Sequence, residues 1–325
     1  METQRNYQIV NLRILAILSV VLGHSCIIYD GYWSTYPAAY DSLFFMWLKA
    51  IITAYQMQLF FAISGFLFFF STQKHSYIDT VKNKSKRLLI PFFFVGLCWL
   101  IPVRLIAHYP KYEGSYITGI KQFALSDWGH LWFLPVLFII FIGLYHLLKR
   151  KTRLTEDMFF LTVCLFLALG SKFLPLFALL KLSLNWVFWF VLGFYMNKYG
   201  LKFPNRQAPL SIITLISVVL IIPFVAIGLK GIIGSVVGFI ASLLIVFALF
   251  LYMSKRTSEL MSWLDKNSMG IFLFHSPIIY VLYYKFAMIL HPCVMVSLNF
   301  FVAVSISLIV TIILRKVGLK VLLGE

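Results

Sequence analysis

Two residues in the first apolar run, Ile9 to Ile28, are out of place in a plain membrane anchor. Arg13 is a fixed cation, and His24, eleven positions later, is a titratable base. On an α-helix that spacing is roughly 16 Å of rise and leaves the two side chains within about 20° of one face. A charged and a titratable group stacked on one face of a membrane-length helix mark a functional site by default. Arg13 alone also fits a plainer role, a cation snorkelling to the headgroups from near the start of the run. His24 lies deeper, past mid-bilayer if Arg13 sits at the surface. There a neutral imidazole can take a proton from an attacking hydroxyl. An arginine at the entrance suits phosphate groups.

Other stretches carry weaker signals of the same kind. Phe60–Leu67 (FFAISGFL) sets Ser64 and Gly65 in an aromatic helix. Such a small pair permits close helix approach, or leaves room for a ligand chain. Lys86 and Arg87 precede Pro91, which suits the first turn of a helix. They read as anchors, as Lys82 and Lys84 do, or as phosphate ligands. His130 stands in GHLWFLP, where an aromatic belt is the plainer explanation. His275 stands in NSMGIFLFHSP, with Asn267 or Ser268 as helix N-cap and Pro277 able to kink the helix and free a carbonyl. Three histidines in three apolar contexts, His24, His130 and His275, point to a polar cavity. The acidic residues fall at span ends or in loops, which argues against a carboxylate relay and leaves histidine as the base. Cys26, Cys98, Cys164 and Cys293 show no CxxC spacing, so neither a disulfide framework nor a metal site is expected.

The elements that must position these residues follow from composition. The chain has 325 residues, 61% hydrophobic and only 12% charged, with a mean hydropathy of +0.91. A soluble domain would carry about a quarter charged residues. The expected fold is an all-α polytopic membrane protein, one membrane domain over 1–325. About ten spans are expected, near 9–28, 50–72, 88–107, 131–148, 157–175, 178–197, 209–228, 232–253, 269–290 and 295–314. The net charge of +17 is scattered in short clusters between the apolar runs, so nucleic acid is excluded as a partner. With both termini cytoplasmic, most Lys and Arg fall inside, as the positive-inside rule asks. Arg104, Lys111, Lys121, Lys172, Lys181 and Lys230 fall outside. Ser76–Arg87 reads as a short amphipathic surface helix, and the outer loop 108–130 as a lid or an acceptor surface. No cleavable signal peptide is expected.

Taken in order, these stretches resemble the membrane acyltransferase-3 family. Arg13 and His24 resemble its R-X10-H signature, FFAISGFL its second-helix motif, and KRLLIP its basic entry to the third helix. HLWFL (130–134) is similar to its fourth-helix motif in the histidine form, without a glutamate partner. FWFVLGFY (188–195) and IFLFHSP (271–277) resemble its later helices. The resemblance implies transfer of an acyl group, acetyl or else succinyl, from cytoplasmic acyl-CoA. The implied acceptor is a sugar hydroxyl of a cell-surface polysaccharide or its lipid-linked precursor. The chain resembles members without an added extracytoplasmic domain. Acyl-CoA is then a co-substrate, with no permanently bound cofactor, in a multi-pass protein of a bacterial inner membrane. Membrane lipids surround it, and a homodimer or a glycan-assembly complex is compatible with it.

The corresponding scheme has Arg13, Lys86 and Arg87 near the donor phosphates and the pantetheine arm near Ser64 and Gly65. His24 is the general base, and His130, Ser25 or His275 steadies the oxyanion. Direct transfer is favoured because no nucleophile elbow is present, with an acyl-histidine step on His24 as the other route. The rival class is an exporter or flippase of a lipid-linked sugar or polysaccharide. A third is a non-catalytic scaffold in glycan assembly.

Overall fold

The structure is a computed structural model that describes residues 6–31, 33–200, 216–217 and 231–325. Among the described residues it is helical throughout, with no strand. The main helices are α1 (Tyr7–Ser25), α2 (Leu43–Thr53), α3 (Gln56–Lys74), α4 (Tyr77–Ile106), α5 (Tyr116–Ala124), α6 (Phe133–Lys149), α7 (Leu154–Gly170), α8 (Ala178–Lys198), α9 (Gly231–Tyr252), α10 (Glu259–Phe286) and α11 (Pro292–Lys316). Seven helical stretches among the described residues are long and apolar enough to cross a membrane. α2 and α3 count as one of these, and so do α5 and α6. Large apolar side chains lie bare on their surfaces: Phe44 is 69% exposed and Phe301 67%. Such surface suits lipid better than water. The protein is therefore a multi-pass membrane protein. The span expected over 209–228 lies outside the described residues, apart from 216–217.

The chain groups into two compact units, Met1–Phe60 with Lys202–Leu308, and Phe61–Leu201 with Ile309–Glu325. In the first unit α1 packs chiefly along α10. α1 starts at Asn6, whose side chain accepts from the Ile9 amide at 3.3 Å, satisfying one of the orphan N–H groups of the first turn. The side chain of Asn11 donates to the carbonyls of Ser254 and Arg256 at 2.9 and 2.8 Å. Gln8 likewise donates to the Phe250 carbonyl. These bonds fix the start of α1 against the end of α9.

α10 starts ten residues earlier than expected. Ser258, not Asn267 or Ser268, is its N-cap, accepting from the Met261 amide at 3.2 Å, and Glu259 sits favourably in the first turn. Asn267 instead donates from inside the helix to the Trp263 carbonyl. The earlier start brings Asp265, 7% exposed, inside a membrane-length helix. The expectation that no carboxylate is buried in a span is corrected here.

In the second unit α8 packs against α6 and α7. α4 is one continuous helical run with two π turns, Ser85–Leu89 and Gly96–Leu100. Each lies just before a proline, Pro91 and Pro102, which has no N–H for the regular i→i−4 bond. Pro91 therefore interrupts a helix that began at Tyr77 instead of opening a separate one. Asp157 of α7, 3% exposed, accepts from Thr152, Lys198 and Tyr199 and so ties α7 to the end of α8. The segment after α4 is built on Arg104, 1% exposed, which bonds Tyr112 and Asp127 and lies 4.4 Å from the centre of the Tyr109 ring.

Candidate active site on the first helix

α1 and α10 are linked at two levels by polar side chains. At the first, Arg13 Nη1 lies 3.3 Å from Asp265 Oδ1, with side chains 27% and 6% exposed. At the second, His24 Nδ1 lies 2.9 Å from His275 Nε2, with the ring planes 14° apart and 5.0 Å between centroids, an edge-to-edge pair. The two levels are eleven residues apart on α1 and ten on α10, so the helices run in the same direction. By helical rise the levels are about 16 Å apart.

The partners of the two rings fix their tautomers. His275 Nδ1 lies 2.9 Å from the carbonyls of both Ile271 and Phe272. Carbonyls only accept, so this nitrogen carries the hydrogen, and in the neutral ring Nε2 is the acceptor. The hydrogen bond between the rings must then be donated by His24 Nδ1. That assigns the lone pair of His24 to Nε2, the nitrogen a general base needs. His275 is fully buried and His24 is partly exposed. One ring is therefore held by its own helix, and it in turn fixes the orientation of the other.

Backbone contacts hold His24 from its other side. Tyr283, 1% exposed, donates to the Ser25 carbonyl at 2.6 Å and lies 3.2 Å from that of His24. It thus engages the carbonyls that the helix end leaves open. Ser25 Oγ donates to the Val21 carbonyl at 2.9 Å. Its hydroxyl proton is therefore spent within the helix. Both Nδ1–H of His275 and the hydroxyl of Ser25 are directed at carbonyls, so neither has the geometry of an oxyanion donor expected of it.

The remaining expected site residues lie in the second unit. His130 is buried, 6% exposed, in the 3₁₀ turn Gly129–Trp132 that leads into α6. Its neighbours Trp132 and Phe133 pack on Phe61, with ring centres 6.3 and 4.9 Å away. A Cβ at Gly65 would lie 1.8 Å from the Phe190 carbonyl oxygen, and one at Gly193 would lie 1.9 Å from that of Ala62. These two glycines let α3 and α8 touch backbone to backbone. The side of Gly65 expected to leave room for a ligand is filled by α8, and Ser64 is its neighbour in the same helix. Lys86 and Arg87 are both exposed. Lys86 lines a largely apolar cleft of about 630 Å³ with Leu89 and Phe93. Lys84, expected as a surface anchor, lies over the Phe141 ring at 3.8 Å.

A family model described as an acyltransferase domain matches residues 6–316. The chain belongs to the acyltransferase-3 family. The protein is thus a membrane acyltransferase, and the match takes in α1 and the whole of α10, so both linked levels lie within it. No curated protein and no solved structure matches the chain.

Two residues that join the candidate site, Asp265 and Tyr283, carry little signal in the sequence. Asp265 precedes the apolar run that marks the span, although the Ser258–Glu259 cap signal precedes it in turn. Tyr283 had no signal, being one of 17 tyrosines in a chain that is 18% aromatic. Among the described residues no group of His, Cys, Asp and Glu is arranged to hold a metal ion.

Proposed function

We propose that this membrane acyltransferase moves an acyl group, acetyl in the first instance and succinyl as the second choice, from cytoplasmic acyl-CoA to a sugar hydroxyl. The acceptor is a cell-surface polysaccharide or its lipid-linked precursor. The observation that carries the mechanism is the His24–His275 bond, which assigns the basic nitrogen to His24 Nε2.

In this mechanism Nε2 of His24 accepts the proton of the acceptor hydroxyl as its oxygen attacks the thioester carbonyl carbon. The carbonyl π electrons move to oxygen, and the tetrahedral oxyanion collapses with loss of the C–S bond. The thiolate of coenzyme A leaves and receives the proton from the His24 imidazolium. The new bond is the ester, and no redox change is involved. His275 acts as a positioning residue that holds the His24 tautomer. His130 is the remaining candidate for steadying the oxyanion. Arg13, which lies 3.3 Å from Asp265, is the proposed contact for the entering donor. Lys86 and Arg87 are offered as exposed cations for its phosphates.

Orientation follows the same reading, with both termini cytoplasmic and Arg13 at the cytoplasmic end of α1. Membranes containing the protein are expected to consume radiolabelled acetyl-CoA and place the label on glycan as a base-labile ester. An exporter or flippase would move glycan without consuming the thioester, and that result would replace the proposal.

A further inference from the structure

The segment after α11 folds back on α4, within the second unit. α11 ends where Gly318 takes φ +80°, and the amides of Gly318 and Leu319 donate to the carbonyls of Arg315 and Leu314 at 3.2 and 2.8 Å. A 3₁₀ turn, Lys320–Leu323, follows and packs along residues 85–95 of α4. Leu323 is 1% exposed. The chain then returns to the end of α11. Arg315 Nε donates to both carboxylate oxygens of Glu325, at 3.1 and 3.0 Å, and Nη2 donates to one of them. Residues 315–325 thus form a closed loop, with a buried leucine on one side and an ion pair as its fastening.

The loop lies over a defect in α4. Pro91 has no N–H, so it cannot serve the carbonyl of Arg87 four residues earlier. Gly324 sits against that carbonyl. It has φ +75°, and a Cβ there would lie 2.4 Å from the Arg87 oxygen. Arg87 belongs to the π turn Ser85–Leu89, as does Lys86. A π turn holds one residue more than an α turn. Moving it by one position therefore rotates the side chain it passes by about 100° around the helix. Where the π turn stays decides where Lys86 and Arg87 point.

We propose that residues 315–325 are a clamp that fixes the π turn of α4 and so aims Lys86 and Arg87, with Arg315, Leu323, Gly324 and Glu325 as positioning residues for donor binding. The inference rests on the acyl-CoA reading above, in which these two cations meet the donor phosphates. Pro91 places the π turn, and the loop keeps it there.

The test pairs amide hydrogen exchange over residues 85–95 with acetyl-transfer kinetics, on the full chain in phosphatidylcholine nanodiscs. Gly324→Ala is expected to speed exchange there and to raise KM for acetyl-CoA about tenfold, the scale of losing a charge-assisted hydrogen bond, with kcat near wild type. Arg315→Glu should act in the same direction, and Arg315→Glu/Glu325→Arg should bring both readouts back toward wild type, which separates loss of the clamp from loss of fold. In a Lys86→Ala/Arg87→Ala background Gly324→Ala should raise KM no further, a pattern that general loosening would not produce. Unchanged exchange in both Gly324→Ala and Arg315→Glu overturns the clamp. Faster exchange with unchanged KM, where Lys86→Ala/Arg87→Ala does raise KM, overturns its positioning role. Unchanged KM in Lys86→Ala/Arg87→Ala itself sinks the donor-phosphate reading of the two cations, and the exchange result then decides the clamp alone.

Discussion

His24 donates from Nδ1 to Nε2 of His275 across 2.9 Å, and His275 is itself held by two backbone carbonyls of its own helix. The chain of donors runs one way, from each ring toward a backbone or ring acceptor. With both rings neutral, one arrangement of hydrogens satisfies it, and that arrangement leaves the basic lone pair on His24 at Nε2. A buried neutral histidine here fixes the orientation of a second imidazole, as a carboxylate could, without adding a charge beside it.

His275→Gln removes the aromatic acceptor while keeping a polar side chain of similar reach. The expected result is a fall in kcat of about 10- to 100-fold, the range seen when an orienting partner is lost. KM for acetyl-CoA should stay near wild type. The acid limb of the pH–rate profile should also move, which a purely structural role would not cause. Steady-state kinetics across pH on folded protein checks this.

Tyr283→Phe deletes one hydroxyl that serves the Ser25 and His24 carbonyls. The loss is expected to cost about 1 kcal/mol of stability, with the larger effect at the end of α1. Thermal unfolding in detergent and kcat measured side by side check it, with kcat falling several-fold while donor affinity holds.

Arg13 and Asp265 are coupled across α1 and α10. Removing Arg13 alone takes a cation away from a buried carboxylate, so Arg13→Ala should destabilise more than Arg13→Ala/Asp265→Asn. A coupling of about 1–3 kcal/mol is expected from the double-mutant cycle on thermal unfolding. Additive effects would mean that the pair does not hold the helices.

Gly65→Ala and Gly193→Ala should each fold poorly or lose about 1–3 kcal/mol, since each added Cβ would meet backbone closer than 2 Å. Detergent-solubilised yield and melting temperature report this directly. Gly143, with nothing near its missing Cβ, is the matched control and should accept alanine without loss.

The sequence was most legible where chemistry is rare in its surroundings. Arg13 and His24 stand out because a charge and an imidazole are costly in an apolar helix, and helical periodicity puts them on one face. The partner of His24 was open between His130 and His275, because contacts over 251 residues are set by packing and not by local pattern. Asp265 was hidden by a boundary: apolar density begins near Met269, whereas the helix begins at its cap, Ser258. Gly65 in its sequence fits helix contact or ligand space equally, and the position of the Phe190 carbonyl decides between them. The glycines mark a crossing without naming which helix crosses.

The central claim is that His24 Nε2 takes the proton of the acceptor hydroxyl. It is tested most directly by the rate of acetyl transfer from radiolabelled acetyl-CoA to glycan in His24→Ala, using protein shown to be folded and to bind the donor. The expected result is a loss of at least about 100-fold in kcat with donor binding intact. Full transferase activity in folded His24→Ala protein would contradict it.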